Sequence, residues 1–110
     1  MKLRAAICAL GLGLAVASPA SAVSSLQTSP VTVYAAKWCS ACKALERGLE
    51  GRKIAFDRVD VDESPAAFER ARAAAGAGGA IPLTSVARAE GTVWIVGADV
   101  DAVDRAQRGE

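Results

Sequence analysis

Two thiols three residues apart, Cys39 and Cys42, stand in the run Trp38-Cys39-Ser40-Ala41-Cys42-Lys43. Cysteines at that spacing on a helix lie one turn apart on one side, so they can close and reopen a disulfide or supply half of a tetrahedral metal site. The chain contains no histidine, which removes His-based triads, imidazole metal ligands and imidazole acid–base chemistry. The third cysteine, Cys8, lies in an N-terminal apolar run, and the single methionine is Met1. Neither can complete a metal site around the pair. Thiol–disulfide exchange is the leading reading. The alternative is a zinc, copper or iron–sulfur module that joins the Cys39/Cys42 pairs of two chains around one metal centre. No metal ligand is assigned within one chain.

Exchange needs a thiolate, and a helix N-terminus stabilises one through its unpaired backbone N–H groups and dipole. The stretch before the cysteines, Val31-Thr32-Val33-Tyr34-Ala35-Ala36, is β-prone, and Ala41, Leu45 and Leu49 recur at helical spacing after them, up to a stop at Gly51. Cys39 thus falls at a strand-to-helix junction as the attacking thiol, with Cys42 one turn on as the resolving thiol. Lys37 and Lys43 flank the pair and favour the thiolate, while Trp38 shields one side of Cys39 and offers a flat apolar surface to a partner.

The rest of the chain alternates in the same way. A strand is expected over 54–61, with Phe56, Val59 and Val61 as apolar anchors, and a helix from Ser64-Pro65 to about Ala75 with Phe68, Ala71 and Ala75 as its stripe. Gly76-Ala77-Gly78-Gly79 breaks the pattern before Ile81-Pro82. Residues 83–88 and 92–96 form a hairpin turning at Glu90-Gly91, and 99–108 a last helix with Val100, Val103 and Ala106 inward. The order β-α-β-α-β-β-α defines a small α/β domain over 30–110, a four-stranded mixed sheet flanked by three helices.

The first 22 residues read as a targeting segment. Lys2 and Arg4 precede 13 uncharged residues, Ala5 to Ala17, and Ala20-Ser21-Ala22 has the small-x-small form of a cleavage site. The run falls short of the roughly 20 residues that span a bilayer. A cleaved signal peptide over 1–22 and a flexible lead over 23–29 give an exported protein, periplasmic in a bacterium or secreted, without a stable membrane anchor. Past residue 22 the chain keeps 11 cations, all 12 acids and only Cys39 and Cys42. So balanced a charge supplies no drive toward nucleic acid. A disulfide closing so small a loop does little as a structural staple, which leaves chemistry as its use.

The strand at 31–36, the Trp38-Cys39-Ser40-Ala41-Cys42-Lys43 turn, the Ile81-Pro82 step and the β-β-α ending together resemble the thioredoxin superfamily, and the length and the absence of an extra N-terminal β-α unit resemble glutaredoxins and glutaredoxin-like thioredoxins. The resemblance covers about 30–108. It implies a thioredoxin-like fold, a cis Pro82 beside the dithiol, and Ile81 presenting its backbone to an extended client segment or to glutathione. It implies a monomer without cofactor, working on disulfide- or dithiol-bearing client proteins with a redox partner protein, glutathione being an alternative co-substrate. Two features depart from the family pattern. Ser40-Ala41 replaces the Pro-Tyr usual between glutaredoxin cysteines, and Gly97-Ala98-Asp99 only partly matches the turn that receives a glutathione carboxylate, with the N–H groups of Ala98 and Asp99 as the remaining anion donors. Asp99 also suits a plain helix N-cap. Asp57, Asp60, Asp62 and Glu63 read as a solvated strand end, Arg70 and Arg72 as a wet helix face, and Tyr34 and Trp94 as core or sheet surface. Arg88 is a cation available to an anionic ligand, without a place assigned to it.

Overall fold

The computed structural model describes residues 29–110, so the expected signal peptide and almost all of the lead lie outside the described residues. The elements are β1 (Val31–Ala35), α1 (Ser40–Gly51), β2 (Asp57–Asp60), α2 (Pro65–Ala75), β3 (Leu83–Arg88), β4 (Gly91–Val96) and α3 (Val100–Gln107). They form one four-stranded sheet in the order β2-β1-β3-β4. β1 and β2 run parallel with Ala35 opposite Asp60, while β3 is antiparallel to both β1 and β4. This is the thioredoxin-like arrangement expected from the sequence.

Alternation along β1 decides which helix covers which face. Val31, Val33 and Ala35 are buried in one cluster with Leu45 and Leu49 of α1, Val86 and Ile95 of the hairpin, and Val103 and Ala106 of α3. Leu45 and Leu49 are fully buried, each contributing about 1.5–3 kcal/mol. On the opposite face Tyr34 meets Phe68 of α2 and Trp94 of β4, both with ring centroids 6.5 Å apart. α1 and α3 cross closely at Gly48, where an added Cβ would lie 2.5 Å from Val100 Cγ2. Arg52, just past α1, ties the same two helices by pairing with Asp101 and Asp104.

Three expectations change in detail. The buried stripe of α1 is Cys42, Leu45 and Leu49, with Ala41 facing solvent. α1 ends at Gly51, but the reversal of the chain comes two residues later, at Lys53. The Ile54 N–H reaches back to the Leu49 carbonyl at 2.9 Å and the Lys53 N–H to that of Glu50 at 3.0 Å, with Lys53 in the left-handed region at φ 61. That pair of bonds is a Schellman ending, and Leu49 and Ile54 supply its apolar contact. The same bonds close α2, where Gly76 holds the left-handed position. Finally, β2 is shorter than expected because Ile54 is engaged by the end of α1 and pairing with β1 begins only at Asp57. At the N-terminal side the Ser29 N–H donates to the Gln107 carbonyl at 3.2 Å, which ties the last residue of the lead to the end of α3.

Candidate active site

Cys39 is the N-cap of α1, with extended backbone (φ −91, ψ 107) and its own carbonyl accepting the first helical bond from the Lys43 N–H at 3.2 Å. Its Sγ accepts the backbone N–H of Cys42 at 3.1 Å. A sulfur in the N-cap position therefore takes over a donor that a Ser or Asp oxygen would otherwise satisfy, and the same N–H stabilises negative charge on Cys39 once the pair is reduced. The two cysteines are joined as a disulfide, with Cα atoms 5.2 Å apart. Cys42 is wholly buried, whereas Cys39 keeps 7% of its surface. Of the two residues, Cys39 is therefore the more accessible from outside.

The Ile81-Pro82 bond is cis, in line with the resemblance. Pro82 is buried beside the start of β3, its carbonyl accepting the Gly97 N–H at 2.9 Å. Ile81 packs against the cluster that contains both cysteines. Trp38 is 70% exposed, and Val96, one residue before Gly97, is 53% exposed. These large apolar side chains stand out of the surface beside the redox turn and at the Gly97 turn next to Pro82. A depression lined by Pro30, Val31, Ala55, Phe56 and Asp57 lies at the start of β1, the far end of that strand from the dithiol.

The charges around the site are placed differently from the sequence reading. Lys37 pairs with Glu63 at 3.2 Å, both side chains being exposed. The Trp38 indole N–H donates to Asp62 Oδ2 at 2.9 Å. Asp60 is not on a solvated strand end: it is 8% exposed, and its Oδ1 accepts the backbone N–H groups of Asp62 (2.8 Å) and Glu63 (3.2 Å). Burial alone pushes the Asp60 carboxyl up, but those two N–H groups and Arg58 at 3.5 Å outweigh it and hold the carboxyl below its ordinary value. Arg58 also bonds Glu46 of α1 at 3.0 Å. Strand alternation placed Asp60 on one face but could not show that the face is covered; the cue was the Asp-x-Asp-Glu pattern, which suits a carboxylate that accepts from the N–H groups two and three residues on.

The Gly97 turn does not offer the anion site in the form expected. The Asp99 N–H donates to the Gly97 carbonyl at 3.0 Å, and the Asp99 side chain caps α3 by accepting the Ala102 N–H at 3.0 Å. Ala98 is exposed, but Asp101 sits in the first turn of α3 and opposes an incoming carboxylate. Arg88 is held by Glu90 and by the carbonyls of Gly109 and Glu110, away from the dithiol. Arg72 pairs with Glu69 on its own helix. Among the described residues no three Cys, Asp or Glu side chains are grouped to hold a metal ion.

The glutaredoxin family profile matches residues 31–80, which include both cysteines. A Mycobacterium tuberculosis protein described as a glutaredoxin is 32% identical over 60 residues, covering 54% of this chain and 71% of that one. Mycoredoxin 1 of Corynebacterium glutamicum is 44% identical over 41 residues, 37% of this chain and 49% of its own. Among solved structures, the glutaredoxin-like NrdH-redoxin of Escherichia coli superposes with a TM-score of 0.57 at 26% identity, covering 69% of this chain and 92% of its own. With Cys39 and Cys42 as its redox pair, this chain belongs to the glutaredoxin family of thiol–disulfide oxidoreductases.

Proposed function

We propose that the protein is exported and exchanges disulfides with client proteins, taking electrons from or passing them to a partner protein in preference to glutathione. The observation that carries the choice of partner is the α3 N-terminus, where Asp99 consumes donors and Asp101 adds negative charge. The E. coli NrdH-redoxin, described as having a thioredoxin-like activity profile, offers a precedent for this division within glutaredoxin-like proteins. Export rests on the segment 1–22; no helix among the described residues is long and apolar enough to cross a membrane.

In the reducing direction, the Cys39 thiolate attacks one sulfur of a client disulfide. The client S–S bond breaks, its other sulfur leaves as a thiolate that takes up a proton, and a Cys39–client disulfide forms. Cys42 then loses its proton and attacks Cys39 Sγ, releasing the second client thiol and leaving the Cys39–Cys42 disulfide. The client gains two electrons and two protons; the protein loses two electrons and the Cys42 proton, and the second proton is the one Cys39 released to solvent on ionising. Running backwards, the reduced client becomes oxidised.

Cys42→Ser tests this reading in cells. The expected result is a set of protein-sized adducts, stable without reductant, reversed by it, and absent from Cys39→Ser/Cys42→Ser so that Cys8 is not their source. Mass measurement of the same purified protein is expected to show residues 1–22 removed. Adducts of glutathione alone would overturn the choice of partner, and an intact N-terminus on protein outside the cytoplasm would overturn cleavage.

A further inference from the structure

The geometry points to Asp60 as a positioning residue for disulfide exchange: its buried carboxylate builds the turn whose Asp62 and Glu63 side chains hold Trp38 and Lys37, fixing the wall beside Cys39. The inference rests on the exchange chemistry of the Cys39/Cys42 pair and adds a residue that touches neither sulfur.

β1 and β2 end together, Ala35 opposite Asp60, so the loops that follow them leave the sheet side by side. The first leads through Ala36, Lys37 and Trp38 to Cys39; the second is the turn 61–64. The Val61 N–H donates to the Ala35 carbonyl at 2.9 Å and the Ser64 N–H to the Asp60 carbonyl at 2.9 Å, which holds the two loops together and closes the turn. Inside it, Asp60 Oδ1 receives the N–H groups of Asp62 and Glu63. Two backbone donors on one oxygen fix where these residues start from, and their side chains reach in the same direction, Asp62 to the Trp38 indole and Glu63 to Lys37. On its other side Asp60 meets Arg58, which is bonded to Glu46 on the helix that carries the dithiol. The carboxylate thus couples α1 to the loop that braces the redox turn.

The consequence falls on client binding. An indole 70% exposed, with its N–H unpaired, samples several rotamers and must be ordered when a client closes on it. Here Asp62 orders it beforehand. Ordering one such side chain at an interface weakens binding by roughly 2- to 10-fold. A disulfide too small to cover Trp38 does not incur that cost.

The test uses the full chain with insulin as the protein disulfide, dithiothreitol as electron source, and 2,2′-dithiodipyridine as the small disulfide. Asp60→Ala removes the acceptor, Asp60→Asn keeps an acceptor oxygen, and Asp62→Ala removes only the bond to the indole. For Asp60→Ala and Asp62→Ala the expected result is a KM for insulin about 2- to 10-fold higher, with a smaller change in kcat and in the rate with dithiodipyridine; Asp60→Asn restores most of the loss. In a Trp94→Phe background, where Trp38 is the remaining tryptophan, fluorescence anisotropy decay is expected to show faster indole motion in the two alanine variants. Should Asp60→Ala fail to fold, Asp62→Ala decides the outcome alone, since it leaves the turn intact. Unchanged indole motion, or equal losses with both disulfides, would overturn the assignment. Absence of any reaction with dithiodipyridine in the unsubstituted protein would instead strike at the exchange chemistry itself.

Discussion

Replacing Gly48 by Ala sets two effects of known size against each other. Gly48 lies inside α1, where Ala is favoured over Gly by about 1 kcal/mol on helix propensity alone. Here, however, the new methyl would sit 2.5 Å from Val100 Cγ2, with Val100 Cγ1 and Cβ at 3.5 Å. A contact that short cannot stand, so one partner must move. Val100 is β-branched with few rotamers, and it sits in the first turn of α3, next to the Asp99 cap and the Arg52–Asp101 pair. Relief requires the helices to separate, and overpacking of this kind costs about 1–3 kcal/mol. The net expectation is a destabilisation of up to about 2 kcal/mol from a substitution that should stabilise an open helix. Urea unfolding of the reduced and oxidised forms measures it, and a double-mutant cycle with Val100→Ala isolates the contact. In the Val100→Ala background the clash is gone, so Gly48→Ala is expected to turn stabilising, with a coupling of about 1 kcal/mol or more. A stabilising Gly48→Ala in the unsubstituted protein, or zero coupling, would refute the close crossing of α1 and α3.

Two further outcomes follow from the same structure. Lys53→Gly should stabilise by up to about 1 kcal/mol, because relieving a left-handed L-residue gains about 1–2 kcal/mol while glycine's freedom in the unfolded chain returns part of it; thermal unfolding measures the gain, and a loss would mean that Lys53 does not end α1. Asp60 and Asp104 both have carboxyls held below the ordinary value, Asp104 chiefly by Gln107 and then by Arg52 and Arg108 in spite of its burial. A depressed folded-state value means that the carboxylate's contribution is fully present above the unfolded value of about 3.9 and lost as pH falls through the folded one. Unfolding free energy should therefore drop in acid below about pH 4, and less steeply in Asp60→Asn and Asp104→Asn; equal slopes would count against those contacts.

The sequence was most readable where one local rule acts alone. α2 runs from Pro65 to Ala75 as its N-terminal Pro and its apolar stripe specify, and Gly76 ends it by the left-handed geometry that glycine accepts most readily. Cys39 at the head of α1 was legible for the same reason, since a strand-to-helix switch leaves the preceding residue as N-cap. The residue that reverses the chain after α1 was not. Gly51 is the last residue of the helix, as its stop signal suggests, yet it does not make the left-handed turn; Lys53 does. The apolar contact between Leu49 and Ile54 selects the register there, and tertiary burial outweighs the strain at one lysine.

The acidic run after β2 shows a second kind of limit, and it concerns function more than fold. Counting charges along 57–63 treats each carboxylate by its own exposure, and on that basis all four belong in water. What separates Asp60 from its neighbours is a property of pairs of loops: β1 and β2 end at the same height, so residues 37–38 and 61–63 are forced together although 24 positions separate Trp38 from Asp62. A carboxylate at that junction can be buried because backbone N–H groups and an arginine replace the lost water. Its neighbours are then held facing the redox turn. The cysteines alone specify which bond breaks. The surface beside the redox turn is set by residues that the Cys-x-x-Cys motif does not contain, and their placement depends on where the two parallel strands stop.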